Sequence, residues 1–227
     1  MDIVTTRTEK VLNILLTAAA LVIAGVLVRR ELFPPSAARA AATNSSPVYL
    51  KDWQEYAGEG VLVGDSTAKV KVLVFSDFQC PFCRQFHSVV NGVSQKFEGK
   101  VAYVFIHFPL ANHPLARPAA RAAECAETQG RFGLFADALF AKQDSLGLKS
   151  WASYAAEAGV ADSAKFAQCV SDSAPISRID RGRALGETLA VSGTPTVLVN
   201  GWRFSNPPSD SLLTRVVTDL LASKKPF

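Results

Sequence analysis

Two cysteines stand two residues apart in the stretch DFQCPFCRQF, residues 77–86. Cys80 and Cys83 are separated by Pro81 and Phe82. Three kinds of chemistry use such a pair: a reversible dithiol–disulfide centre, half of a zinc site, or a structural disulfide. The rest of the chain and the elements that hold the pair decide among them.

A structural zinc site is disfavoured by the rest of the chain. Such a site needs four ligands, usually with a second cysteine pair or a histidine pair at short spacing. The other cysteines, Cys125 and Cys169, stand alone, and the histidines form no such pair. A purely structural bridge is also disfavoured, because a disulfide across two residues closes almost no loop and stabilises little. We therefore predict a redox centre, with no metal and no cofactor.

The residues around the pair predict a strand followed by a helix. Residues 70–75, VKVLVF, are a short apolar run rich in β-branched side chains, typical of a strand buried on both faces. Pro81 suits the first position of a helix, and residues 82–97 have helical periodicity. A second strand is predicted at residues 101–108. Strand, helix and strand at this spacing require parallel pairing.

A helix that starts at Pro81 places Cys80 against the unpaired N–H groups of the first turn, which favour a thiolate. Helix N-termini and Cys-x-x-Cys motifs lower a thiol pKa from about 8.5 to roughly 3.5–7.5. Because a stabilised thiolate is a good leaving group, the disulfide form becomes more oxidising. Cys83, deeper in the first turn, is expected to be more buried. We predict Cys80 as the attacking sulfur and Cys83 as the resolving one.

The C-terminal part of the chain predicts a second module. Residues 196–199 and 202–204 flank Asn200-Gly201, the strongest two-residue hairpin signal, and an apolar stripe then predicts a helix. The region between the two modules is dense in alanine and helical periodicity, so three to five helices are expected there. Two of its apolar stripes consist of Phe132, Phe135 and Leu139, and of Leu148, Trp151 and Tyr154.

The N-terminal segment differs in kind from the rest. Residues 11–28 carry no charge, and a run of this length approaches the roughly 20 apolar residues of a membrane-spanning helix. We expect a tail at 1–10, an uncleaved transmembrane anchor at 11–28 and a linker at 29–47. A cleavable signal peptide is the alternative, and the flanking charges do not decide the orientation of the anchor.

Composition restricts the classes of function. The chain has 227 residues, 48% of them hydrophobic, and a net charge of +4 from scattered basic residues. This balance indicates one main folded domain without a nucleic-acid surface. The four cysteines are an even number and all follow the apolar segment, which fits a domain exported to an oxidising compartment.

These features together resemble the DsbA-like thioredoxin-fold disulfide oxidoreductases, in particular exported or membrane-anchored bacterial members. The resemblance rests on FSDFQCPFC, on the βαβ and ββα halves with helices between them, and on GTPT at residues 193–196. It implies an α/β thioredoxin fold (βαβ + ββα) with an inserted α-helical domain, preceded by the transmembrane helix. The thioredoxin-like domain would comprise residues 48–110 and 191–227, with the helical insertion at 111–190.

The resemblance also implies a substrate site. Pro195 corresponds to the cis-proline that faces the cysteine pair in this family. The backbone of Thr194 corresponds to a segment that binds an extended substrate peptide as an added strand. Phe78, Phe82 and Trp202 are candidates for apolar contact with that peptide.

Cys125 and Cys169 each lie in a predicted helix of the insertion. Some relatives have a second disulfide in such positions, so the resemblance implies a structural bond between these two cysteines. Two buried free thiols are the alternative, which an intracellular location would favour.

Some positions depart from the family pattern. Many relatives carry a buried acidic residue in the strand six positions before the first cysteine, where this chain has Val74. The dipeptide between the cysteines lacks the histidine of the best-known oxidase. Asp77 is the nearest carboxylate, and we interpret it as a turn residue that bonds local backbone. The histidines are interpreted as surface residues: His87, His107 and His113.

The sequence therefore predicts a membrane-anchored thiol:disulfide oxidoreductase that forms disulfides in exported, cysteine-containing polypeptides. It is expected to act as a monomer on the periplasmic side of a bacterial cell membrane, with a membrane quinone-linked partner that reoxidises it. Two alternatives stay open: a disulfide reductase or isomerase, and a non-catalytic binding or chaperone module with an inert disulfide.

Overall fold

The structure, a computed structural model, describes residues 2–32 and 46–227, with side chains in the first segment for residues 9 and 11–25. The chain divides into two compact units, residues 1–45 and 46–227. The first unit contains one long helix, α1 (Asp2–Leu32). Residues 33–45 of the predicted linker lie outside the described residues. The second unit contains all four cysteines.

The structure corrects the membrane anchor predicted at residues 11–28. In the described part of the chain, no helix is long and apolar enough to cross a membrane. This finding contradicts the predicted localisation, which was a single-pass protein of a bacterial cell membrane with its catalytic domain on the periplasmic side.

Residues 46–227 form a six-stranded mixed sheet with helices on both faces. The order of the strands across the sheet is β1-β6-β5-β3-β4-β2. β3 and β4 pair in parallel, and the other neighbours are antiparallel. The strands are β1 (Val48–Tyr49), β2 (Val61–Val63), β3 (Val70–Ser76), β4 (Val101–His107), β5 (Thr196–Val199) and β6 (Trp202–Arg203).

The predicted βαβ unit is present as β3, α3 and β4. A short helix, α2 (Trp53–Ala57), precedes the unit, and α3 runs over Pro81–Lys96, within one residue of the predicted bounds. All residues of β4 are buried, and so are those of β3 apart from Lys71. In the parallel register Ser76 lies opposite His107. Because β3 lies between β5 and β4, the loop from β3 to α3 leaves the sheet at an interior strand.

Five α-helices lie between β4 and β5, at the upper end of the predicted range. A 3₁₀ turn, Gln143–Ser145, follows the second of them. Leu148 is 88% exposed, although the sequence placed it in a helical stripe, because the next helix begins only at Trp151 with Ser150 as its N-cap. The helices are α4 (Ala116–Glu127), α5 (Phe132–Ala141), α6 (Trp151–Glu157), α7 (Ser163–Ser171) and α8 (Ser177–Thr188).

The C-terminal residues form the predicted ββα module. Asn200 and Gly201 make the hairpin turn between β5 and β6 with φ angles of 42° and 87°, as a two-residue hairpin turn of this kind requires. The Asn200 side chain accepts a hydrogen bond from the Lys71 N–H at 2.7 Å, which fixes the turn to β3. The last helix, α9 (Asp210–Leu221), begins after Ser209, whose hydroxyl accepts a backbone N–H of the first turn.

The two faces of the sheet carry two hydrophobic clusters. One contains side chains of α3, α4, α5 and α9, and the other contains side chains of α2 and α8. α8 approaches β4 closely: a Cβ atom at Gly182 would lie 2.6 Å from the carbonyl oxygen of His107. Since no side chain fits there, glycine is required at this position. The predicted α/β architecture with helical content is confirmed.

Candidate active site

Cys80 and Cys83 lie where β3 passes into α3. Cys80 is the N-cap of α3, with φ −76° and ψ 121°, and Pro81 holds the first helical position. The Cys80 carbonyl accepts hydrogen bonds from the N–H groups of Cys83 at 3.1 Å and Arg84 at 3.2 Å. Both cysteines are free thiols and are 3% and 2% exposed, respectively. The helix therefore starts directly after Cys80 and places Cys83 inside its first turn.

The loop before β5 approaches Cys80 from a distant part of the chain. The Thr194–Pro195 peptide bond is cis. In its protonated form, the Cys80 thiol donates a hydrogen bond to the carbonyl oxygen of Thr194 at 3.3 Å, across a separation of 114 residues. The fold thus brings the cysteine pair against the segment that contains Pro195.

The two thiols have opposite protonation tendencies. The pKa of Cys80 is lowered to about 5, first by a hydrogen bond with the Cys83 thiol, and further by the Thr194 side chain and by backbone N–H groups of α3; burial opposes this shift. The pKa of Cys83 is raised well above its usual value by burial and by the adjacent Cys80. At neutral pH the pair therefore consists of a thiolate at Cys80 and a thiol at Cys83.

The pH dependence of alkylation tests this assignment. We expect iodoacetamide to modify Cys80 of the reduced protein with a rate that rises through a midpoint near pH 5, because only the thiolate reacts. Peptide mass spectrometry at a series of pH values measures the rate separately for each cysteine, so that Cys83 serves as the internal control. A midpoint for Cys80 at about 8.5, the value of an unperturbed thiol, would contradict the prediction.

The lowered pKa of Cys80 also makes the stability of the reduced protein depend on pH. Because the folded-state pKa of Cys80 lies below the unfolded one, its contribution is fully present above about pH 8.5 and is lost as the pH falls through about 5. The reduced protein is therefore expected to gain stability over a Cys80→Ser variant as the pH rises through this window.

Asp77 fixes the loop between β3 and α3. Its carboxylate is fully buried and accepts hydrogen bonds from the N–H groups of Gln79 at 2.7 Å and Leu110 at 2.9 Å, and from Nδ1 of His113 at 2.7 Å. The bond from Gln79 is the local turn contact that the sequence predicted, whereas the other two come from the connection after β4. The Asp77 N–H lies 3.5 Å from the Cys83 sulfur. The anchored loop thus presents a backbone donor to the buried thiol.

Comparison with known proteins identifies the family. A thioredoxin family model matches residues 56–219. The oxidised form of BdbD from Bacillus subtilis is 20% identical with a TM-score of 0.64, over 78% of this chain and 97% of that one. The reduced disulfide bond oxidoreductase DsbG from Mycobacterium tuberculosis is 25% identical with a TM-score of 0.59, over 75% and 91%. The chain is a DsbA-like member of the thioredoxin family.

Part of a larger protein is also similar to this DsbA-like chain. The Na(+)/H(+) antiporter NhaA 3 of Salinispora tropica is 35% identical over 163 residues, which are 71% of this chain and 25% of the antiporter. The same antiporter class from Mycolicibacterium gilvum is 34% identical over 157 residues, again 25% of its length. The DsbA-like chain thus spans about a quarter of the curated relatives that it matches.

The two phenylalanines predicted to contact substrate differ in position. Phe82 is 64% exposed and lines a cleft of about 280 Å³ together with Pro207 and Pro208. Phe78 is 1% exposed, and its ring stacks on Phe105 with centroids 4.6 Å apart. Because this ring also packs against side chains of α5, it fills the space between β4 and that helix. The prediction that Phe78 contacts a substrate peptide is therefore wrong.

Trp202, the third aromatic candidate, is half-buried on β6. Its indole packs against Tyr49 and Phe227, with ring centroids 5.1 and 5.5 Å away. The Lys225 ammonium lies 5.5 Å from the indole centroid. These contacts join the end of the chain to the hairpin, so the position of Trp202 is accounted for by packing within the DsbA-like domain.

Two of the histidines expected at the surface belong to buried polar networks. His87 on α3 is 7% exposed and bonds Asp137 of α5 at 2.6 Å. His107 on β4 is 1% exposed and bonds Glu124 of α4 at 2.9 Å, and the same carboxylate accepts two hydrogen bonds from Arg178. The surface interpretation is wrong for both, because a carboxylate from a distant element compensates the burial of each imidazole.

Gln143 is a residue at the active-site loop that sequence reasoning missed. It lies in the 3₁₀ turn after α5 and is 7% exposed. Its side-chain nitrogen donates to the carbonyl oxygens of Phe78 at 2.8 Å and Cys80 at 2.9 Å. A single glutamine in a helix-rich region carries no signal of such a role, since only the fold of the DsbA-like domain brings it to the loop.

Proposed function

We propose that this DsbA-like chain catalyses disulfide formation in exported polypeptides by thiol–disulfide exchange at Cys80 and Cys83. The observation that carries the proposal is the environment of Cys80, which caps α3, contacts Thr194 and has a pKa lowered to about 5. A stabilised thiolate favours the reduced form of the pair. The disulfide form is then a good oxidant of other dithiols.

The proposed reaction begins from the disulfide form. A substrate thiolate attacks the Cys80 sulfur, the bond between the two cysteines breaks, and Cys83 leaves with the bonding electrons. Cys83 then takes up a proton, because burial raises its pKa. A second substrate thiolate attacks the substrate sulfur of the mixed disulfide, and Cys80 leaves as a thiolate. The substrate gains one disulfide and the protein gains two electrons.

We infer that the substrate peptide binds in extended form along Thr194, beside Pro195. The Thr194 carbonyl faces Cys80 at 3.3 Å, and residue 194 leads directly into β5, so a peptide that pairs with this backbone passes the reactive sulfur. Phe82, exposed in the first turn of α3 two residues after Cys80, supplies apolar contact to the same peptide. This arrangement selects an accessible cysteine with little demand on the sequence around it.

The disulfide between Cys125 and Cys169 supports an oxidising compartment outside the cytoplasm as the place of action. Polypeptides exported to such a compartment are the class of substrate that needs new disulfides. Continued turnover requires an electron acceptor for the reduced pair, and we propose a membrane partner linked to quinone for this step. A single copy of the chain contains both cysteines and the Thr194 segment, so the reaction requires no second copy.

Replacing Cys83 by alanine in the full chain tests the proposal. The oxidised variant, with Cys80 carrying a small disulfide-linked leaving group, is expected to form covalent complexes with a reduced, unfolded protein, because the resolving thiol is absent. Non-reducing electrophoresis detects these complexes, and a reductant should remove them. A variant with both Cys80 and Cys83 replaced by alanine is the control and should form none.

The outcomes separate the candidate functions. Complexes through Cys80, together with oxidation of the same substrate by the wild-type disulfide form, support an oxidase. A wild-type protein that only reduces or rearranges substrate disulfides would identify a reductase or isomerase. If neither the variant nor the wild type exchanges with any substrate, the chain is a binding module and the proposal is wrong.

A further inference from the structure

The 3₁₀ turn Gln143–Ser145 connects the helical segment to the active-site loop. The Gln143 side chain donates to the carbonyl oxygens of Phe78 and Cys80 at 2.8 and 2.9 Å, and these two carbonyls stand on either side of residue 79. Both bonds are buried. One side chain thus fixes two peptide planes of the loop that ends at the reactive sulfur.

The turn itself is held in place from both sides. The Tyr154 hydroxyl of α6 donates to the Lys142 carbonyl at 3.0 Å, at the residue before the turn. Asp144 bonds Arg84, which directly follows Cys83, at 2.9 Å. This ion pair is largely exposed and contributes little to stability. The buried bonds of Gln143 are therefore the stronger link between the turn and the loop.

The loop has a second anchor at its other end. The Asp77 carboxylate holds the first residues of the loop through its three hydrogen bonds. Next to Cys80, the Gln79 side chain accepts the Leu115 N–H at 2.7 Å. The Cys80 carbonyl itself bonds the first helical N–H groups and Gln143 in the described structure. Gln143 is therefore a side chain from outside the loop that bonds the backbone of Cys80 directly, at the start of α3.

We propose that Gln143 is a positioning residue for Cys80: by holding the carbonyls of Phe78 and Cys80, it keeps the reactive sulfur against the first N–H groups of α3. The helical segment then takes part in setting the reactivity of the pair. This inference rests on the proposed function, because it assumes that Cys80 is the residue that exchanges.

Replacing Gln143 by methionine in the full chain tests the inference. Methionine has a similar length and no donor, so the two carbonyls lose their shared partner. We expect the pKa of Cys80 to rise and the redox equilibrium with glutathione to shift about three- to tenfold towards the disulfide form, which becomes a weaker oxidant. Alkylation of reduced Cys80 and quantified glutathione equilibria measure the two effects.

Gln129 offers a matched control. Its side chain donates to the Asp162 carbonyl at 3.0 Å and accepts from the Asp162 N–H at 2.9 Å, within the helical segment. Gln129→Met therefore removes two backbone contacts by the same substitution, but none to the active-site loop. It should lower the thermal stability and leave the alkylation profile and the glutathione equilibrium unchanged.

A second variant is needed in case the Gln143→Met protein does not fold. Gln143→Asn keeps the amide but is shorter by one methylene, so it cannot span both carbonyls, and it should shift the equilibrium in the same direction. The inference is overturned if the wild type equilibrates with glutathione and a folded Gln143 variant has the same equilibrium constant as the Gln129 control. A wild type that does not equilibrate with glutathione would overturn the proposed function itself.

Discussion

Replacing Cys80 by serine is expected to lower the rate of substrate oxidation by about a thousandfold or more, as removal of a catalytic nucleophile does. A serine hydroxyl forms no disulfide with the substrate. Cys83 is no substitute, because burial holds its pKa well above the usual value and it stays a thiol at neutral pH. Oxidation of a peptide with two cysteines, followed by mass spectrometry, measures the rate.

Thermal unfolding of this variant is the control that it is still folded. Serine is similar in size to cysteine and polar, and a helix N-cap favours it, so the thermal unfolding of the variant at acidic pH should match that of the reduced wild type. A folded Cys80→Ser variant that keeps more than about a tenth of the wild-type rate would contradict the assignment. It would mean that Cys83 receives the substrate directly.

Removing the disulfide between Cys125 and Cys169 is expected to lower the free energy of unfolding by about 4 kcal/mol in the chain-entropy account of disulfides. The bond joins α4 to α7 across a separation of 44 residues, a loop whose closure restricts the unfolded chain considerably. A variant with alanine at both positions, unfolded with urea, gives the difference. The same variant should still equilibrate with glutathione, because Cys80 and Cys83 are untouched.

The outcome depends on the residual structure of the unfolded chain. A loss below about 1 kcal/mol would contradict the prediction and would mean that the unfolded state keeps α4 and α7 together without the bond. Wild-type protein reduced by dithiothreitol, compared with the variant in the same reductant, is the matched control, since it lacks the same loop constraint without a change of residues.

The reactive pair and its immediate supports were predictable from sequence because their signals are local. Cys80, Pro81 and Cys83 follow one another in a motif, and the continuous apolar runs of β3 and β4 mark strands buried on both faces. The segment that faces the pair, at Pro195, carries no such local signal. An X-Pro bond is cis in only about 5–6% of cases, so only the family resemblance predicts a cis-proline at this position.

Residues whose surroundings come from distant elements escaped prediction. Nothing near Phe78 in sequence distinguishes a core ring from a surface one, and its position follows from the space between β4 and α5. The buried His87 bonds the carboxylate of Asp137, which is 50 residues away in the sequence. The strands β1 and β2 have two and three residues, too few for an alternating pattern to appear.

The adjacent residues Glu124 and Cys125 attach α4 to different parts of the domain. Glu124 bonds His107 on β4 and Arg178 on α8, whereas Cys125 is joined to Cys169 on α7. Burial raises the pKa of Glu124, but these two partners outweigh it and hold the pKa below its usual value. Reduction of the disulfide therefore removes the covalent link between α4 and α7, while Glu124 still joins α4 to β4 and α8. The two attachments of α4 therefore respond to different conditions: a reductant breaks the disulfide, whereas acid weakens the bonds to His107 and Arg178 by protonating Glu124.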